Sequence, residues 1–240
     1  MTKLNCLLLF AVLALPAYAV EPAWGLAELM IDLGRVKQAK GTFVEKKYMK
    51  LLSAPLQSSG QLNYTAPYRL EKITLAPKPE SMVVDQDMLT IEMRGRKRSL
   101  QIQDYPVLWA FVESIRGTLK GDLSALQQFY KVKLDGARQA WQLQLLPTER
   151  KMATLIQSIV ISGSKDRLNT IDITEADGDR SVMTVTGDVT TSAAQRTLDI
   201  DNNRTDTGWG VWPRATSGYC FVAMCAVITT GRLPPGVSAG

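Results

Sequence analysis

The sequence predicts a mainly β domain with helices (α+β), built as a strongly curved antiparallel sheet or open barrel with helices against one mouth. Three observations predict this fold class. Apolar and polar residues alternate in many short runs, helical spacing occurs at only two places, and Asp-Gly pairs separate neighbouring runs. We expect about nine or ten strands from these runs. With 240 residues and 45% apolar content, the chain can bury one sizeable core.

An amphipathic helix is the first predicted element of the domain, over residues 24–33. Strand alternation is clear from Gly60, where Leu62 and Tyr64 alternate with polar neighbours, and Pro67 ends or bends this strand. The apolar residues that carry the helical spacing are Leu26, Leu29, Met30 and Leu33.

More strands are predicted over residues 68–75, 81–84 and 88–93, and the last of these places Leu89, Ile91 and Met93 on one face. We interpret the basic cluster Arg94–Arg98 as a hairpin tip that leads into the next strand. Because the cluster is short and has no interleaved aromatic residues, it indicates a solvated turn instead of a nucleic-acid site.

A pair of helices interrupts the strands in the middle of the chain. Gly117 is predicted to end the first helix, and Asp122 is predicted to cap the N-terminus of the second. The apolar stripe of the first helix is Val107, Leu108, Phe111, Val112 and Ile115, and that of the second is Leu123, Leu126 and Phe129.

After the helices the apolar period returns to two. Asp135-Gly136 is predicted to turn one hairpin and Asp177-Gly178 the last one. The strands of this half are marked by Val132 and Leu134, by Trp141, Leu143 and Leu145, by Ile159 and Ile161, by Ile171 and Ile173, and by Val182 and Val185.

The composition excludes several enzyme classes, because the chain contains no histidine. Ser–His–Asp and Cys–His catalysis and His-containing zinc or non-haem iron sites all need that side chain. Three scattered cysteines supply too few ligands for a Cys-only metal site. Carboxylate, lysine or serine chemistry stays open, as does a protein that catalyses nothing. The excess of 28 Lys and Arg over 23 Asp and Glu is mild.

Residues 1–19 have the pattern of a secretory signal peptide. Lys3 is followed by the apolar run Leu7–Leu15, and Ala17-Tyr18-Ala19 matches the small-x-small cleavage pattern. The apolar run is far shorter than the roughly 20 residues that a membrane-spanning helix needs. The sequence therefore predicts an exported protein whose main domain covers residues 20–202.

Residues 203–240 have a different composition from the domain. The strand alternation stops near Asn202, and the segment contains Trp209-Gly210-Val211-Trp212-Pro213 and later Leu233-Pro234-Pro235-Gly236. We interpret this segment as a tail outside the domain, and an additional docking element is the alternative. Cys220 and Cys225 could pair in an oxidising compartment, but their spacing does not decide this.

Five segments of the chain form a pattern, and their order along the sequence is more informative than any one segment alone. They are the helix before Thr42-Phe43-Val44-Glu45, and then Gly60–Leu70, Val83–Leu89, Leu123–Trp141 and Thr174–Ser181. In this order, over residues 24–190, the chain resembles the LolA-like family of periplasmic lipoprotein carriers. The resemblance implies an unclosed antiparallel barrel with a helical lid over an apolar cavity. It also implies transfer of acylated lipoproteins from an inner-membrane transporter to an outer-membrane acceptor.

The sequence departs from the family pattern at several positions, which predicts a divergent, LolA-related member. In these carriers a basic residue directly before the proline that matches Pro67 ties the lid to the barrel. This chain has Ala66 there, and Arg69 lies on a different part of the strand. Glu45 stands where the family usually has Gln, and Gln86 and Leu89 replace the Gly and Trp of a hairpin.

The resemblance and the apolar stripes together predict a cavity for acyl chains. Burial of acyl chains requires apolar and flexible side chains and no catalytic residue. For each residue the alternative is ordinary core packing. The candidates are Leu62, Tyr64, Leu70, Leu89, Ile91, Met93, Trp141 and Leu143 of the sheet, and Leu108, Phe111 and Ile115 of the lid.

The hypothesis that the sequence favours is a periplasmic carrier of an acylated lipoprotein or related lipid, not an enzyme. A lipid-sensing or regulatory module on the same fold is the second hypothesis, and a periplasmic hydrolase that uses carboxylates is the third. We expect a monomer that needs no metal or cofactor, binds no nucleic acid and does not span the membrane. Its expected partners are the cargo, an inner-membrane transporter and an outer-membrane acceptor.

Overall fold

A computed structural model of the chain describes residues 24–187, and both the predicted signal peptide and the predicted 203–240 tail lie outside this range. The described residues form one eleven-stranded sheet in which every neighbouring pair of strands is antiparallel. The strand order is β6-β5-β4-β3-β2-β1-β11-β10-β9-β8-β7. Since β6 and β7 do not pair with each other, the barrel is unclosed, as the sequence predicts.

The strands and helices have the following bounds. The strands are β1 Gln38–Tyr48, β2 Leu56–Thr65, β3 Arg69–Ala76, β4 Glu80–Asp85, β5 Met88–Met93, β6 Arg96–Gln101, β7 Tyr130–Ala137, β8 Ala140–Pro147, β9 Ile156–Ser164, β10 Arg167–Glu175 and β11 Arg180–Thr186. The helices are α1 Leu26–Gly34, α2 Pro106–Lys120, α3 Leu123–Phe129 and α4 Arg150–Ala153, and a 3₁₀ turn covers Ile102–Asp104.

The N-terminal helix and the first strands follow the predicted periods. Glu28 accepts a hydrogen bond from the Gly25 backbone N–H at 2.9 Å and so satisfies a donor at the start of α1. In β1 the buried residues Phe43, Glu45 and Lys47 alternate with exposed ones, as a strand with one covered face requires. Strand β2 starts at Leu56, four residues before the predicted start. The prediction began too late because residues 57–59 are all polar and show no apolar alternation.

The prediction of a hairpin tip at Arg94–Arg98 is wrong in its extent. The turn consists of Arg94 and Gly95, both with positive φ, and residues 96–98 already belong to β6. Residues 96–99 are all exposed, because β6 is an edge strand, and this strand therefore shows almost no alternation in burial. Including β6, the sheet formed by residues 24–187 has eleven strands and not nine or ten.

The hairpin turn predicted at Asp135-Gly136 is also wrong. These residues lie inside β7, where they pair with Gln142 and Trp141, and the chain reverses two residues later, between Ala137 and Ala140. Gly136 has a φ of 95°, so it supplies a conformation that favours glycine before the turn itself. The turn predicted at Asp177-Gly178 is confirmed between β10 and β11.

The helical pair is confirmed, but its first helix continues beyond the predicted end at Gly117. Helix α2 ends at Lys120, and Gly121 caps it with a φ of 66°. The predicted N-cap of α3 is confirmed, because the Asp122 carboxylate accepts a hydrogen bond from the Ala125 N–H at 3.0 Å.

Two hydrophobic clusters form the core, and α2 contributes to both. The first cluster packs α1, α3 and α4 against strands β7–β9, and the second packs α2 against β4 and β5. The first contains Leu29, Met30, Leu33, Ala110, Leu126, Tyr130, Trp141, Leu143, Leu145, Met152, Ile156, Ile159 and Ile161. The second contains Met82, Val84, Leu89, Ile91, Ile102, Leu108 and Val112.

Candidate functional site

A cavity of about 210 Å³ lies between the concave face of the sheet and helix α2. Its wall is mainly apolar and combines residues from both halves of the sheet, since β1 joins β2 on one side and β11 on the other. The apolar lining is Leu33, Val36, Ala39, Leu62, Tyr64, Leu70, Met82, Val84, Leu89, Phe111, Val112, Ile115, Leu119, Leu168, Ile171, Ile173, Met183 and Val185.

Small residues in the central strands leave room for this cavity. Ala39 and Gly41 of β1 line it directly, next to Tyr64 and Leu62 of β2 in the sheet register. Gly60 allows a close approach of neighbours, because a Cβ there would lie 2.9 Å from Phe43 Cε1 and 1.9 Å from the Ile73 carbonyl oxygen. Larger side chains on this stretch of the concave face would fill the space under α2.

The structure brings six of the eleven predicted site residues together around the cavity. They come from strands β2, β3 and β5 and from helix α2. These six are Leu62, Tyr64, Leu70, Leu89, Phe111 and Ile115.

The other five predicted site residues are not in the cavity wall. Ile91 of β5 and Leu108 of α2 belong to the second core cluster. Trp141 and Leu143 are almost completely buried in the first cluster. Met93 is half-buried at the end of β5, opposite Glu80.

The part of the wall formed by α1, β4, β10 and β11 contains none of the site residues predicted from the sequence. Met82 and Val84 alternate within β4, and Met183 and Val185 alternate within β11, so period two was an available signal. The alternation within each strand does not reveal that β1 pairs with β11, because this pairing connects residues more than 130 positions apart. That pairing places Met183 beside Glu45, in the middle of the concave face.

The hydroxyl of Tyr64 is the polar group most deeply buried in the apolar part of the site. The Tyr64 side chain is 5% exposed, and no group among residues 24–187 forms a hydrogen bond with its Oη. Burial raises the pKa of this phenol above its ordinary value, because the charged form would lose its hydration. Tyr64 therefore stays neutral and contributes mainly apolar surface.

A buried polar cluster closes one side of the cavity around Glu45. Its carboxylate accepts hydrogen bonds from Lys72 Nζ at 2.6 Å, Ser181 Oγ at 2.7 Å and Ser58 Oγ at 3.3 Å. Burial alone would raise the pKa of Glu45, but the Lys72 ammonium and these hydrogen bonds outweigh burial, so the pKa lies below its ordinary value. The cluster is thus satisfied internally. A second buried ion pair, Lys47 with Glu175 at 3.4 Å, lies next to it on the same face.

Helix α2 is tied to the sheet by a cation on the helix. Arg116 is buried, pairs with Glu113 and donates a hydrogen bond to the Gln86 carbonyl oxygen at 2.6 Å in the β4–β5 turn. The Tyr68 ring lies 5.8 Å from the Arg116 guanidinium and 5.5 Å from Lys120 Nζ, within the range of a cation–π contact.

Arg69, the basic residue nearest to the family's lid-binding position, contacts the sheet instead of α2. It pairs with Glu71 at 2.6 Å and with Asp85 at 2.8 Å on the exposed surface. The buried contact of a basic residue between α2 and the β4–β5 turn is therefore made from the helix, by Arg116.

The site contains no arrangement typical of metal chemistry. Within the described range, no three His, Cys, Asp or Glu side chains come close enough together to hold a metal ion. The carboxylates of the cavity wall are bound to basic or hydroxyl groups, as for Glu45, or flank the cavity, as for Glu71 and Asp166. None of the helices between residues 24 and 187 is both long and apolar enough to cross a membrane.

An unclosed antiparallel barrel with a helix over an apolar cavity defines a class of binding proteins that enclose apolar ligands. Residues 14–205 match the family described as outer membrane lipoprotein carrier protein LolA-like. Because this match covers most of the chain, the protein belongs to the LolA-like family, and the resemblance of the sequence is confirmed. A comparison with curated proteins finds no match.

Solved structures that match the chain have low similarity to it. A LolA superfamily protein from Nitrosomonas europaea has 9% identity and a TM-score of 0.39, over 68% of this chain and 92% of that one. A lipoprotein-sorting protein domain from Vibrio parahaemolyticus has 10% identity and a TM-score of 0.36, over 67% and 88%. The Pseudomonas aeruginosa MucA/MucB complex matches at 16% identity and a TM-score of 0.41. In that case the match covers 68% of this chain and only 56% of the matched chain.

Proposed function

We propose that the protein is a periplasmic carrier that shields the acyl chains of a lipoprotein or related lipid during transfer towards the outer membrane. The observation that carries the proposal is the cavity of about 210 Å³ between the open sheet and α2, with its mainly apolar wall. Membership of the LolA-like family supports the same activity. The signal-peptide pattern of residues 1–19 supports the compartment.

Burial of an acyl chain provides the free energy for binding without any catalytic group. Each CH₂ removed from water is worth about 0.8 kcal/mol. The wall includes Met82 and Met183, whose unbranched side chains adapt to ligands of different shape. Such a wall suits cargo whose acyl chains vary in length, which is what a carrier of several lipoproteins would meet.

The cavity volume implies that the protein changes shape when cargo enters. Pockets for drug-sized ligands usually measure roughly 300–1,000 Å³, and this cavity is smaller. The strands are held by continuous ladders of hydrogen bonds, whereas among the described residues α2 contacts the sheet through side chains and two side chain to backbone hydrogen bonds, from Arg116 to Gln86 and from Tyr130 to Ala110. Helix α2 is therefore the wall that moves outward, and we refer to it as the lid.

Carrier and sensor are separated by release of the cargo. Native mass spectrometry of protein isolated from the periplasm should detect bound lipid or acylated protein if either hypothesis holds. A carrier then transfers that cargo to acceptor vesicles or to an acceptor protein, whereas a sensor retains it. Protein that carries no acylated molecule, and that takes up no fluorescent fatty acid in vitro, would refute both.

A substitution that fills the cavity tests the site itself. Ala39→Leu places a larger side chain on the concave face beside Tyr64, and we expect at least a tenfold weaker affinity for a fluorescent fatty acid, since the ligand and the new side chain compete for the same volume. Ala137→Leu, at the exposed end of β7, makes the same chemical change far from the cavity and should leave the affinity unchanged. Equal affinities for both variants would show that the ligand binds elsewhere.

A further inference from the structure

Three chain reversals at one end of the sheet contain basic and apolar residues and no acidic residue. They are the β1–β2 loop over residues 49–55, the β3–β4 turn over 77–79 and the β5–β6 turn with the start of β6 over 94–97. Because neighbouring strands are antiparallel, β1, β3 and β5 all run towards this same end. We call these segments together the basic rim; they contain Lys50, Leu51, Leu52, Lys78, Arg94 and Lys97.

The rim exposes leucine side chains that the fold does not cover. Leu51 is 93% exposed, and Leu52 beside it is 43% exposed. The loop is held in a defined shape, because the Leu52 N–H donates to the Met49 carbonyl oxygen at 3.0 Å and the Lys50 N–H donates to Asp179 at 3.0 Å. Leu51 therefore projects from an anchored turn, and the exposed apolar surface is a fixed feature of this end.

The charges around these leucines are mainly positive. Lys50, Lys78, Arg94 and Lys97 are exposed. The acidic residues nearest to the rim are the half-buried Glu80, which follows the β3–β4 turn, Glu92, which lies opposite Lys97, and the two aspartates of the β10–β11 turn, one of which accepts the Lys50 N–H. The rim thus combines exposed basic side chains with exposed apolar side chains at the same end of the molecule.

We propose that the basic rim docks this protein on the surface of an anionic phospholipid bilayer. The interface of such a bilayer accepts both components: leucine enters the boundary of the acyl region, and cations bind the negative head groups. An acidic protein segment would match the cations but would leave Leu51 and Leu52 in water. The inference rests on the proposed function, because a protein that exchanges acyl chains has to approach the membrane that supplies or receives them.

Vesicle co-sedimentation tests this docking with protein purified from the periplasm. We expect binding to vesicles of phosphatidylglycerol and phosphatidylethanolamine, little binding to phosphatidylcholine alone, and a loss of binding as salt is raised. Leu51→Ser should weaken binding roughly tenfold, and Lys78→Gln with Lys97→Gln should weaken it by about fivefold for each lost charge. Ile31→Ser, on α1, is the apolar control, and Arg35→Gln with Lys37→Gln, at the opposite end of the sheet, is the charge control.

The outcomes separate this proposal from the proposed function. Wild-type protein that binds a fluorescent fatty acid but not the anionic vesicles would overturn the docking surface and leave the carrier standing. Protein that binds the anionic vesicles but no fluorescent fatty acid would overturn the proposed carrier function and leave the docking surface standing. If the control variants lose as much vesicle binding as the rim variants, or if the rim binds only an acidic protein, the bilayer is the wrong partner.

Discussion

Glu45 places a charged side chain in the wall of a mainly apolar cavity. The structure surrounds this carboxylate with Lys72, Ser58 and Ser181. The Lys72 side chain is only 14% exposed, so a neutral residue at position 45 would leave its ammonium without the carboxylate it pairs with. The stability that Glu45 provides is therefore coupled to Lys72 on β3.

The pH dependence of stability tests this coupling. Since the folded protein holds the pKa of Glu45 below its ordinary value of 4.5, the ion pair stabilises the fold above that pH and is lost as the pH falls through the lowered pKa. We expect Glu45→Gln to lower the free energy of unfolding by about 2 kcal/mol at pH 7, and the gap to the wild type to narrow towards pH 3. Urea denaturation at several pH values measures both effects.

Two controls make this measurement specific. Burial raises the pKa of the nearby Glu80 and the negative charge of Glu45 raises it as well, so the wild type and Glu45→Gln are also compared with Glu80 replaced by Gln in both. Asp85→Asn removes one carboxylate from an exposed pair with Arg69 and should change stability by at most about 0.5 kcal/mol. A gap between wild type and Glu45→Gln that stays constant from pH 7 to pH 3 would contradict an ionised Glu45.

The two glycines near the end of the lid helix have different structural roles. Gly121 has a φ of 66°, and a Cβ there would lie 1.9 Å from the Met30 carbonyl oxygen of α1. Gly121→Ala should therefore destabilise the protein by about 3 kcal/mol or more, because both backbone strain and overlap oppose it.

Gly117 is the matched control for this prediction. It lies inside α2, where a Cβ would lie 3.1 Å from the flexible Leu126 side chain, and alanine also gains about 1 kcal/mol of helix propensity. Gly117→Ala should shift the midpoint of thermal unfolding by only a few degrees in either direction. Equal losses for both variants would show that crowding, and not the left-handed backbone, determines the end of α2.

The elements that the sequence predicts well are those with one covered face. Strands such as β2 and β8 alternate because the concave face is buried, and α1 shows its stripe because it packs on β7–β9. Strand β6 was missed in part, since an exposed edge imposes no alternation on residues 96–99. The site was predicted only in part for another reason: the wall around Glu45 depends on the pairing of β1 with β11, and local periodicity contains no information on such distant partners.

Residues 24–187 pack as two halves, which are joined by the sheet and by helix α2. Strands β7–β9 with α1, α3 and α4 form one half, and β4 and β5 with α2 form the other. The lid helix places Ala110 in the first cluster and Leu108 and Val112 in the second, so moving it disturbs both. On the proposed function, the cavity between the halves opens when the lid separates from at least one of them.

The contact from Arg116 to Gln86 is one of two polar links between α2 and the sheet, among the described residues, that this opening would break; the other is the hydrogen bond that Tyr130 Oη donates to the Ala110 carbonyl oxygen at 3.1 Å. Replacing both members of the Arg116 ion pair, as Glu113→Leu with Arg116→Met, removes the first link without leaving a buried charge unpaired, and stability should change little. We expect the exchange of a fluorescent fatty acid to become about tenfold faster, because a hydrogen bond to a charged group is worth about 1.5–3 kcal/mol. Stopped-flow release into excess unlabelled fatty acid measures the rate.

Arg69→Gln separates the lid contact from a general effect of lost surface cations. Arg69 binds Glu71 and Asp85 on the sheet and does not contact the lid, so its removal should leave the release rate unchanged. If Arg69→Gln accelerated release as much as the double variant, the cation that controls opening would be on the barrel, as in the family's usual arrangement. If neither variant changed the rate, α2 would not be the moving wall, and cargo would have to enter through the open edge between β6 and β7.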